Sequence, residues 1–188
     1  MSRAGASPIL RVGIIGCGEI TQVVFISTLG FLADYFQITY LCDANKDALE
    51  HCRKMVTGGV VPTITQEAKE LCASPEVDVV LVLSSYEEHV AHTVLALQHN
   101  KFVFVEKPLA ASLRDADIII GAEKKSKGEV FIGYIRRYAT SFQAAVEEIG
   151  GMDKILYGRV RGMLSPGKQK GRVTDVLDRH HRPKQWVH

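Results

Sequence analysis

The chain has 188 residues, of which 46% are hydrophobic, and its formal net charge is +2 at pH 7. This length supports one domain of ordinary size, with its own core, and a remainder. The nearly balanced charge gives no reason to expect nucleic acid or an anionic membrane as a partner, and no apolar run is long enough to span a bilayer.

Short apolar strands alternate with helical segments along most of the chain. We predict strands at 9–16, 37–43, 58–64, 77–85, 101–106 and 129–134. We predict helices at 19–36, 44–56, 65–73, 86–100, 112–127 and 139–150. Gly30 interrupts the first helix, and Ser112 is placed to cap the fifth. The third strand is weak, whereas 77–85 is typical of a strand buried on both faces. The alternation predicts an α/β fold with a doubly wound parallel sheet.

The stretch GCGEIT joins the first strand to the first helix and places Gly16 and Gly18 one residue apart. A G-x-G-x-x-G/A fingerprint at such a turn binds a dinucleotide pyrophosphate, and an acidic residue after the second strand binds the ribose. Thr21 stands at the third fingerprint position, and Asp43 ends the second strand. These residues favour a dinucleotide site over a structural turn. An S-adenosylmethionine site uses a similar turn and stays open at this point.

Asp43 also bears on the choice between two nicotinamide cofactors. Its carboxylate could accept from both ribose hydroxyls of an adenosine and would repel a 2′-phosphate. The sequence therefore favours NAD over NADP, although Lys46 is near enough in sequence to weaken that preference.

The tripeptide Glu106-Lys107-Pro108 follows another buried strand. Ligands of open α/β sheets bind outside the carboxyl ends of the strands. We therefore expect Lys107 to lie beside the cofactor, partly buried and placed for proton transfer. The alternative is a Glu–Lys pair at a strand end, followed by a turn that Pro108 starts, and these residues alone do not decide between the two.

The pieces in this order resemble the glucose-fructose oxidoreductase / inositol dehydrogenase / MocA family. The similarity runs from about Leu10 to Leu164 and includes VGIIGCGEI, LCD, the stretch 77–110 and GYIRRY. The tripeptide EKP is its most specific part and argues against the S-adenosylmethionine site left open above. The resemblance implies a Rossmann fold with NAD as cofactor and NADP as the alternative. It also implies an oxidoreductase that transfers hydride between nicotinamide and a sugar-like or polyol hydroxyl carbon.

The resemblance further implies roles for individual residues, with Lys107 as the catalytic acid/base. The implied cofactor-binding residues are Gly16, Gly18, Glu19, Ile20, Asp43, Leu83, Ser84, Ser85, His89, Glu106, Lys107 and Arg137. The chain departs from the family pattern at Thr21, where Ala is common, and at 84–85, where Thr-Pro is common. It also departs at Ile135, where Asn is common, which suggests an unusual substrate.

Four segments describe the predicted organisation. Residues 1–8 form an N-terminal leader without the apolar region of a signal peptide, and 9–150 form the dinucleotide-binding Rossmann domain. Residues 151–166 resemble the start of the family's α+β substrate domain, and 167–188 form a tail of net charge +4 that we expect to be disordered. The second domain is therefore expected to be truncated. A dinucleotide-binding module, or a truncated relative without catalytic activity, is the alternative to an active enzyme.

The four cysteines are Cys17, Cys42, Cys52 and Cys72, and they form neither C-x-x-C nor a zinc-like cluster. We expect reduced thiols, no metal site and a cytoplasmic protein. A thiolate at Cys17 would be favoured by the helix start, but a small residue in a tight turn is the simpler interpretation. His89 and His92 lie three residues apart without a third ligand, so we expect no metal there. The expected partner is a small sugar-like or polyol substrate, with no nucleic acid or membrane, and the oligomeric state is open.

Overall fold

Six parallel strands form one sheet in residues 8–150, the part of the chain that the structure, a computed structural model, describes. The strands are β1 (Leu10–Ile15), β2 (Phe36–Cys42), β3 (Thr63–Thr65), β4 (Val79–Val82), β5 (Phe102–Val105) and β6 (Val130–Ile132). Their order is β3-β2-β1-β4-β5-β6, and every neighbouring pair is parallel. This is the strand order of the Rossmann fold, so the predicted doubly wound α/β sheet is confirmed.

A helix lies between each pair of consecutive strands, as crossovers between parallel strands usually require. These helices are α1 (Ile26–Phe31), α2 (Lys46–Met55), α3 (Ala68–Ala73), α4 (His89–Gln98) and α5 (Leu113–Glu123), and α6 (Thr140–Ile149) follows the last strand. Two of them have side-chain caps: Asn45 accepts from the N–H groups of Asp47 and Ala48 before α2, and Ser112 accepts from Asp115 N–H before α5. The predicted cap at Ser112 is thus confirmed.

The sheet is buried on both faces, because side chains of the central strands alternate between two cores. Val12 and Ile14 of β1 pack in one core with residues of α1 and α2. Ile15 packs in the other, with residues of α3, α4 and α5. Full burial of each such side chain contributes about 1.5–3 kcal/mol. The two cores fix the sheet from both sides and leave the strand ends to form loops.

Several observed elements are shorter than predicted, and for two of them the local physical reason is clear. The first helix does not run over 19–36: a π-helical turn (Thr21–Phe25) precedes α1, which passes through Gly30 without a break and ends one residue later. The third strand is shorter than 58–64. It begins only after Pro62, which has no N–H to give to β2, while Gly58 and Gly59 have positive φ and form a turn.

The chain divides into two compact units, 1–136 and 137–188. The described part of the second unit is 137–150, and its helix α6 ends at Gly150, which has the left-handed conformation common at helix ends. The predicted leader (apart from Pro8), the start of a substrate domain at 151–166 and the basic tail at 167–188 lie outside the described residues. The predicted boundary after residue 150 therefore stays a prediction.

A charged pair joins the starts of β1 and β4. Arg11 Nη2 lies 2.7 Å from Asp78 Oδ1, and Arg11 Nε lies 2.9 Å from Asp78 Oδ2. The backbone N–H of Arg11 donates to the same carboxylate over 2.9 Å. The hydrogen bond from the Arg11 side chain is the main cause that lowers the pKa of Asp78. Such a bidentate pair defines the register of the two strands as well as stabilising them.

We predict that Asp78→Asn destabilises the fold by about 1 kcal/mol, a modest figure because the pair is partly exposed to solvent. Since the pKa of Asp78 is lowered on folding, its contribution is complete above the unfolded value of about 3.9 and is lost as the pH falls through the folded value. Urea unfolding at pH 7 and at pH 3 should therefore show a smaller difference between the two proteins at pH 3. Glu76→Gln is the control. Glu76 is exposed, and its carboxylate lies 3.5 Å from Arg11 Nη1, a longer and weaker contact than that of Asp78. An equal loss for both variants would contradict the assignment.

Candidate functional site

The carboxyl ends of four central strands bring most of the predicted site residues to one edge of the sheet. β1 lies between β2 and β4, and β5 lies beyond β4. The turn after β1, Asp43 after β2, the loop 83–85 after β4 and the segment 106–108 after β5 are therefore neighbours. The connections reverse direction between β1 and β4, and a crevice at this reversal is where open α/β sheets bind ligands.

Gly16 and Gly18 have different surroundings within the first turn. Gly16 has a φ of +102°, and a Cβ atom placed on it would lie 2.5 Å from the carbonyl oxygen of Leu83. Its N–H donates to Cys42 O over 2.8 Å, so the turn is held between the ends of β2 and β4. A Cβ atom on Gly18, by contrast, would meet nothing within 4 Å. The first glycine is therefore required by the fold, and the second leaves open space of the kind that a pyrophosphate needs.

Two buried side chains hold the turn from behind. Thr21 Oγ1 donates to Gly16 O over 2.6 Å, and Gln22 Nε2 donates to Cys17 O over 2.8 Å. The π-helical turn follows at once, with Ile26 N–H donating to Thr21 O. Thr21 is fully buried, so its hydroxyl supports the turn in addition to filling the third fingerprint position.

Sequence reasoning missed Gln22, although a signal was present. Gln22 stands four and seven residues before the buried Ile26 and Leu29, a spacing that puts it on the apolar face of the helical segment. A buried amide on such a face needs hydrogen-bond partners. The carbonyl of the preceding turn is the nearest candidate.

Asp43 links the end of β2 to the glycine turn. Its Oδ2 accepts from Cys17 N–H over 2.7 Å, and its Oδ1 accepts from Asn45 N–H over 2.8 Å. An ionised carboxylate has about four acceptor sites, so both oxygens keep capacity for the hydroxyls of a ribose. The side chain is half-buried. Asp43 is thus fixed beside the turn by backbone donors and still faces outward.

Asp43 lines a cavity of about 530 Å³ at this edge of the sheet. Its lining includes Gly16, Glu67, Ser85, Glu88 and His92. Three carboxylates therefore share the cavity, and burial lowers the pKa of His92, which disfavours a compensating charge there. A cavity of this character accepts hydroxyl groups more readily than a further phosphate.

The loop after β4 is fixed by two histidines of α4. His92 Nδ1 lies 2.9 Å from Ser84 Oγ, and His89 Nε2 lies 3.0 Å from Ser84 O. His89 is 2% exposed, and its other ring nitrogen, Nδ1, lies 2.7 Å from Pro108 O. Leu83 is buried, whereas Ser85 is exposed. The predicted cofactor loop is thus placed by side chains as well as by the sheet.

Glu106 and Lys107 lie at the end of β5. Glu106 N–H donates to Val82 O over 3.0 Å, and its carboxylate accepts from Lys107 N–H over 2.8 Å. The expected partial burial of Lys107 is wrong: the residue is exposed, because β5 ends two positions earlier and the chain leaves the sheet there. Within the described residues its amine makes no hydrogen bond or ion pair. Its catalytic role stays a prediction.

The three remaining residues predicted to contact the cofactor lie in different parts of the chain: Glu19 and Ile20 follow the glycine turn, and Arg137 lies in the second unit. Glu19 and Ile20 are both exposed, as a cofactor-facing helix start requires. The cofactor contacts of all three stay predictions.

The cysteine thiols are buried and free. The hydrogen bond with Cys52 and burial both raise the pKa of Cys17, so a thiolate is disfavoured and the interpretation as a small residue in a tight turn is supported. Burial likewise raises the pKa values of Cys42 and Cys72 to about 12. Between residues 8 and 150 no three His, Cys, Asp or Glu side chains are grouped to hold a metal ion. Over the same range, no helix is both long and apolar enough to cross a membrane.

Residues 10–134 match the model of the glucose-fructose oxidoreductase / inositol dehydrogenase / MocA family, described as "Oxidoreductase family, NAD-binding Rossmann fold". The chain belongs to this family. The resemblance predicted from the sequence is thereby confirmed, and so is the oxidoreductase family with a nicotinamide cofactor.

Similar proteins within the family include inositol dehydrogenases. The chain is 31% identical to the myo-inositol 2-dehydrogenase of Thermotoga maritima over 74% of its own length and 40% of that protein. It is 44% identical to the inositol 2-dehydrogenase of Salmonella paratyphi B over 69% of its length and 38% of that protein. A crystal structure of Lactobacillus casei myo-inositol dehydrogenase with NAD(H) and myo-inositol has a TM-score of 0.69 and 27% identity, covering 76% of this chain and 42% of that one. The chain thus spans about two fifths of the length of these relatives.

We predict that Gly18→Val abolishes NADH binding while the protein stays folded. The new side chain would occupy the open space beside the turn and displace charge-assisted hydrogen bonds, each equivalent to about 10–100-fold in affinity. NADH titration and thermal unfolding measure the two effects separately.

Gly16→Ala is the matched control for this experiment. Its Cβ would collide with Leu83 O, and its φ is positive, so we expect a loss of about 1–3 kcal/mol or more in stability. If the folded Gly18→Val variant bound NADH normally, the turn would be structural only.

Proposed function

We propose that this chain binds NAD(H) at the turn after β1 and supplies the cofactor half of an enzyme that oxidises a polyol or sugar-like alcohol. The observation that carries the proposal is the pairing of an open Gly18 with Asp43, whose carboxylate is tied to the same turn through Cys17 N–H. A structural turn would need Gly16 but would not need open space at Gly18. When bound, nicotinamide would accept or return a hydride. The chain's own residues would bind the cofactor and transfer the proton of the substrate hydroxyl.

The adenosine half of the cofactor fits the acidic cavity. Asp43 would accept from the ribose hydroxyls, while Glu67 and Glu88 make the surroundings unfavourable for a 2′-phosphate, which would carry about −1.5 to −2 charges. Lys46, the residue that could weaken a preference for NAD, is exposed at the start of α2. We therefore infer a preference for NAD over NADP. Gly18, Glu19 and Ile20 would face the pyrophosphate at the helix start.

Lys107 would serve as the proton acceptor and donor of the reaction. Its backbone is fixed by the Glu106 carboxylate, and its exposed side chain can extend from the end of β5 towards a substrate. In oxidation the neutral amine Nζ would take the hydroxyl proton of the substrate while the carbon gives up hydride. The reverse direction returns the same proton. General acid–base catalysis of this kind contributes about 10²–10⁴-fold.

The substrate class rests on the relatives. Those described above are named for myo-inositol or inositol, and the solved structure contains myo-inositol. We infer a polyol or sugar-like alcohol as the substrate. The free thiols support a reducing compartment such as the cytosol.

A dinucleotide-binding module without catalysis is the second candidate. The exposure of Lys107 favours it, because no described residue holds the amine in a reactive position. Cofactor titration followed by a screen of polyol and sugar oxidation separates the two candidates: binding without turnover supports the module.

We predict that Asp43→Ser weakens NADH binding by about 10–100-fold, since hydrogen bonds to a charged group are lost, and narrows the NADH/NADPH affinity ratio. Asp47→Ser is the control: it removes the same charge four residues later, outside the cavity lining. Fluorescence titration with both cofactors measures the ratio. Equal affinity of the unmodified protein for NADH and NADPH would overturn the role of Asp43.

We predict that Lys107→Ala lowers kcat for polyol oxidation by about 10²–10⁴-fold. The 188 residues alone should turn over slowly, so the assay is repeated with the C-terminal region of an inositol dehydrogenase added. Lys124→Ala, at the far end of α5, is the control variant. Full activity of the Lys107→Ala variant would refute the assignment, and rapid turnover by the 188 residues alone would refute the need for added substrate-binding elements.

A further inference from the structure

His89 is a buried side chain whose two ring nitrogens both face backbone carbonyl oxygens. Nδ1 lies 2.7 Å from Pro108 O, and Nε2 lies 3.0 Å from Ser84 O. Carbonyl oxygens only accept hydrogen bonds, and a neutral imidazole has only one N–H to donate. The form with both nitrogens protonated can donate to both oxygens at once. Either neutral tautomer would leave a nitrogen lone pair against an oxygen, in a site that is 2% exposed.

The titratable neighbours of His89 lie on its own segment of chain and on the segment that ends at Pro108. Burial, and to a smaller extent the charge of His89, lower the pKa of His92 on the next turn of α4. Glu87 has a lowered pKa because of its own backbone hydrogen bond first, with the charge of His89 as a smaller cause. Glu88 lies directly before His89, and Glu106 and Lys107 stand in the segment that ends at Pro108. Three carboxylates thus lie close in sequence to the ring or to its partner.

The two carbonyls belong to different loops of the site. Ser84 is in the loop after β4, and the Ser84 hydroxyl also contacts His92. Pro108 directly follows Lys107. Pro108 has no N–H of its own, so its carbonyl is the backbone group through which this position can be held. One ring therefore joins the loop beside the cofactor turn to the segment that carries the proposed acid/base.

We propose that His89 is a positioning residue that donates from both ring nitrogens, fixes the segment 106–108 against the loop 83–85, and so determines where Lys107 stands. This inference rests on the proposed function for the role of Lys107, but not for the hydrogen bonds themselves. The ring acts through the two loops, since both its nitrogens are occupied by backbone groups.

The first test is nitrogen NMR of the unmodified chain with 15N-labelled histidine, in which His89→Gln assigns the His89 signals. We expect both ring nitrogens of His89 to show one-bond N–H couplings, because both face acceptor oxygens. A nitrogen without a proton would overturn the proposal, whatever the chain binds.

The second test compares His89→Ala and His89→Gln with His99→Ala, a change at the other end of the same helix. NADH and ADP-ribose are titrated separately, because ADP-ribose lacks the nicotinamide that would lie near Lys107. We expect His89→Ala to lower the NADH/ADP-ribose affinity ratio by about tenfold, the equivalent of one hydrogen bond. His89→Gln should restore part of the ratio, and His99→Ala should not change it. Amide exchange in 105–112 should become faster only in the His89 variants.

The outcomes separate a positioning role from a purely structural one and from failure of the proposed function. Equal losses of NADH and ADP-ribose affinity, with unchanged exchange in 105–112, would overturn the positioning role. If the unmodified chain bound no NADH, the proposed function would fail, while the NMR and exchange results would still decide the role of His89. If His89→Ala did not fold, His89→Gln and the NMR experiment would decide it.

Discussion

The close crossing of two backbone segments at Gly16 is the constraint on which the candidate site depends. The turn after β1 passes so near the end of β4 that a single Cβ atom would overlap Leu83 O. This contact requires a glycine with positive φ, and it brings the turn after β1, the loop after β4 and, through Cys42 O, the end of β2 together. A larger residue at Gly16 would push these three segments apart and disrupt the crevice at the reversal of strand order.

Where the strands end, polar side chains bind the backbone N–H and C=O groups that the sheet leaves without partners. Backbone groups beyond the last ladder hydrogen bond need other partners. Asp43 supplies them for the turn and for the start of α2, and Thr21 and Gln22 supply them for the turn. A residue that resembles a ligand in the family pattern can therefore hold the site together as well. Substituting it affects binding both directly and through the loop that it fixes.

Much of the fold follows from local sequence pattern, because buried parallel strands are continuous apolar runs and their crossovers are helical. The strand predicted at 77–85, observed over Val79–Val82, and the cap at Ser112 are examples. The site was predictable only where a residue type is demanded locally, as at Gly16. The exposure of Lys107 and the contacts of His89 depend on how the loops after β4 and β5 meet, which no single segment encodes. Likewise, the π-helical turn begins with two side chains that bind carbonyls of the preceding loop, a contact that the helical pattern alone does not show.

An exposed lysine places particular demands on the backbone that carries it. Lysine has a long, flexible stem, and a displacement of about 1 Å in a reacting group can cost about 100-fold in rate. Here the backbone of Lys107 is held at its N–H by Glu106 and one residue later at Pro108 O by His89. The start of the stem is therefore fixed from both sides while its end is free. If Lys107 acts as proposed, these two anchors would fix the point from which its side chain extends, and only the stem would have to adapt to a substrate.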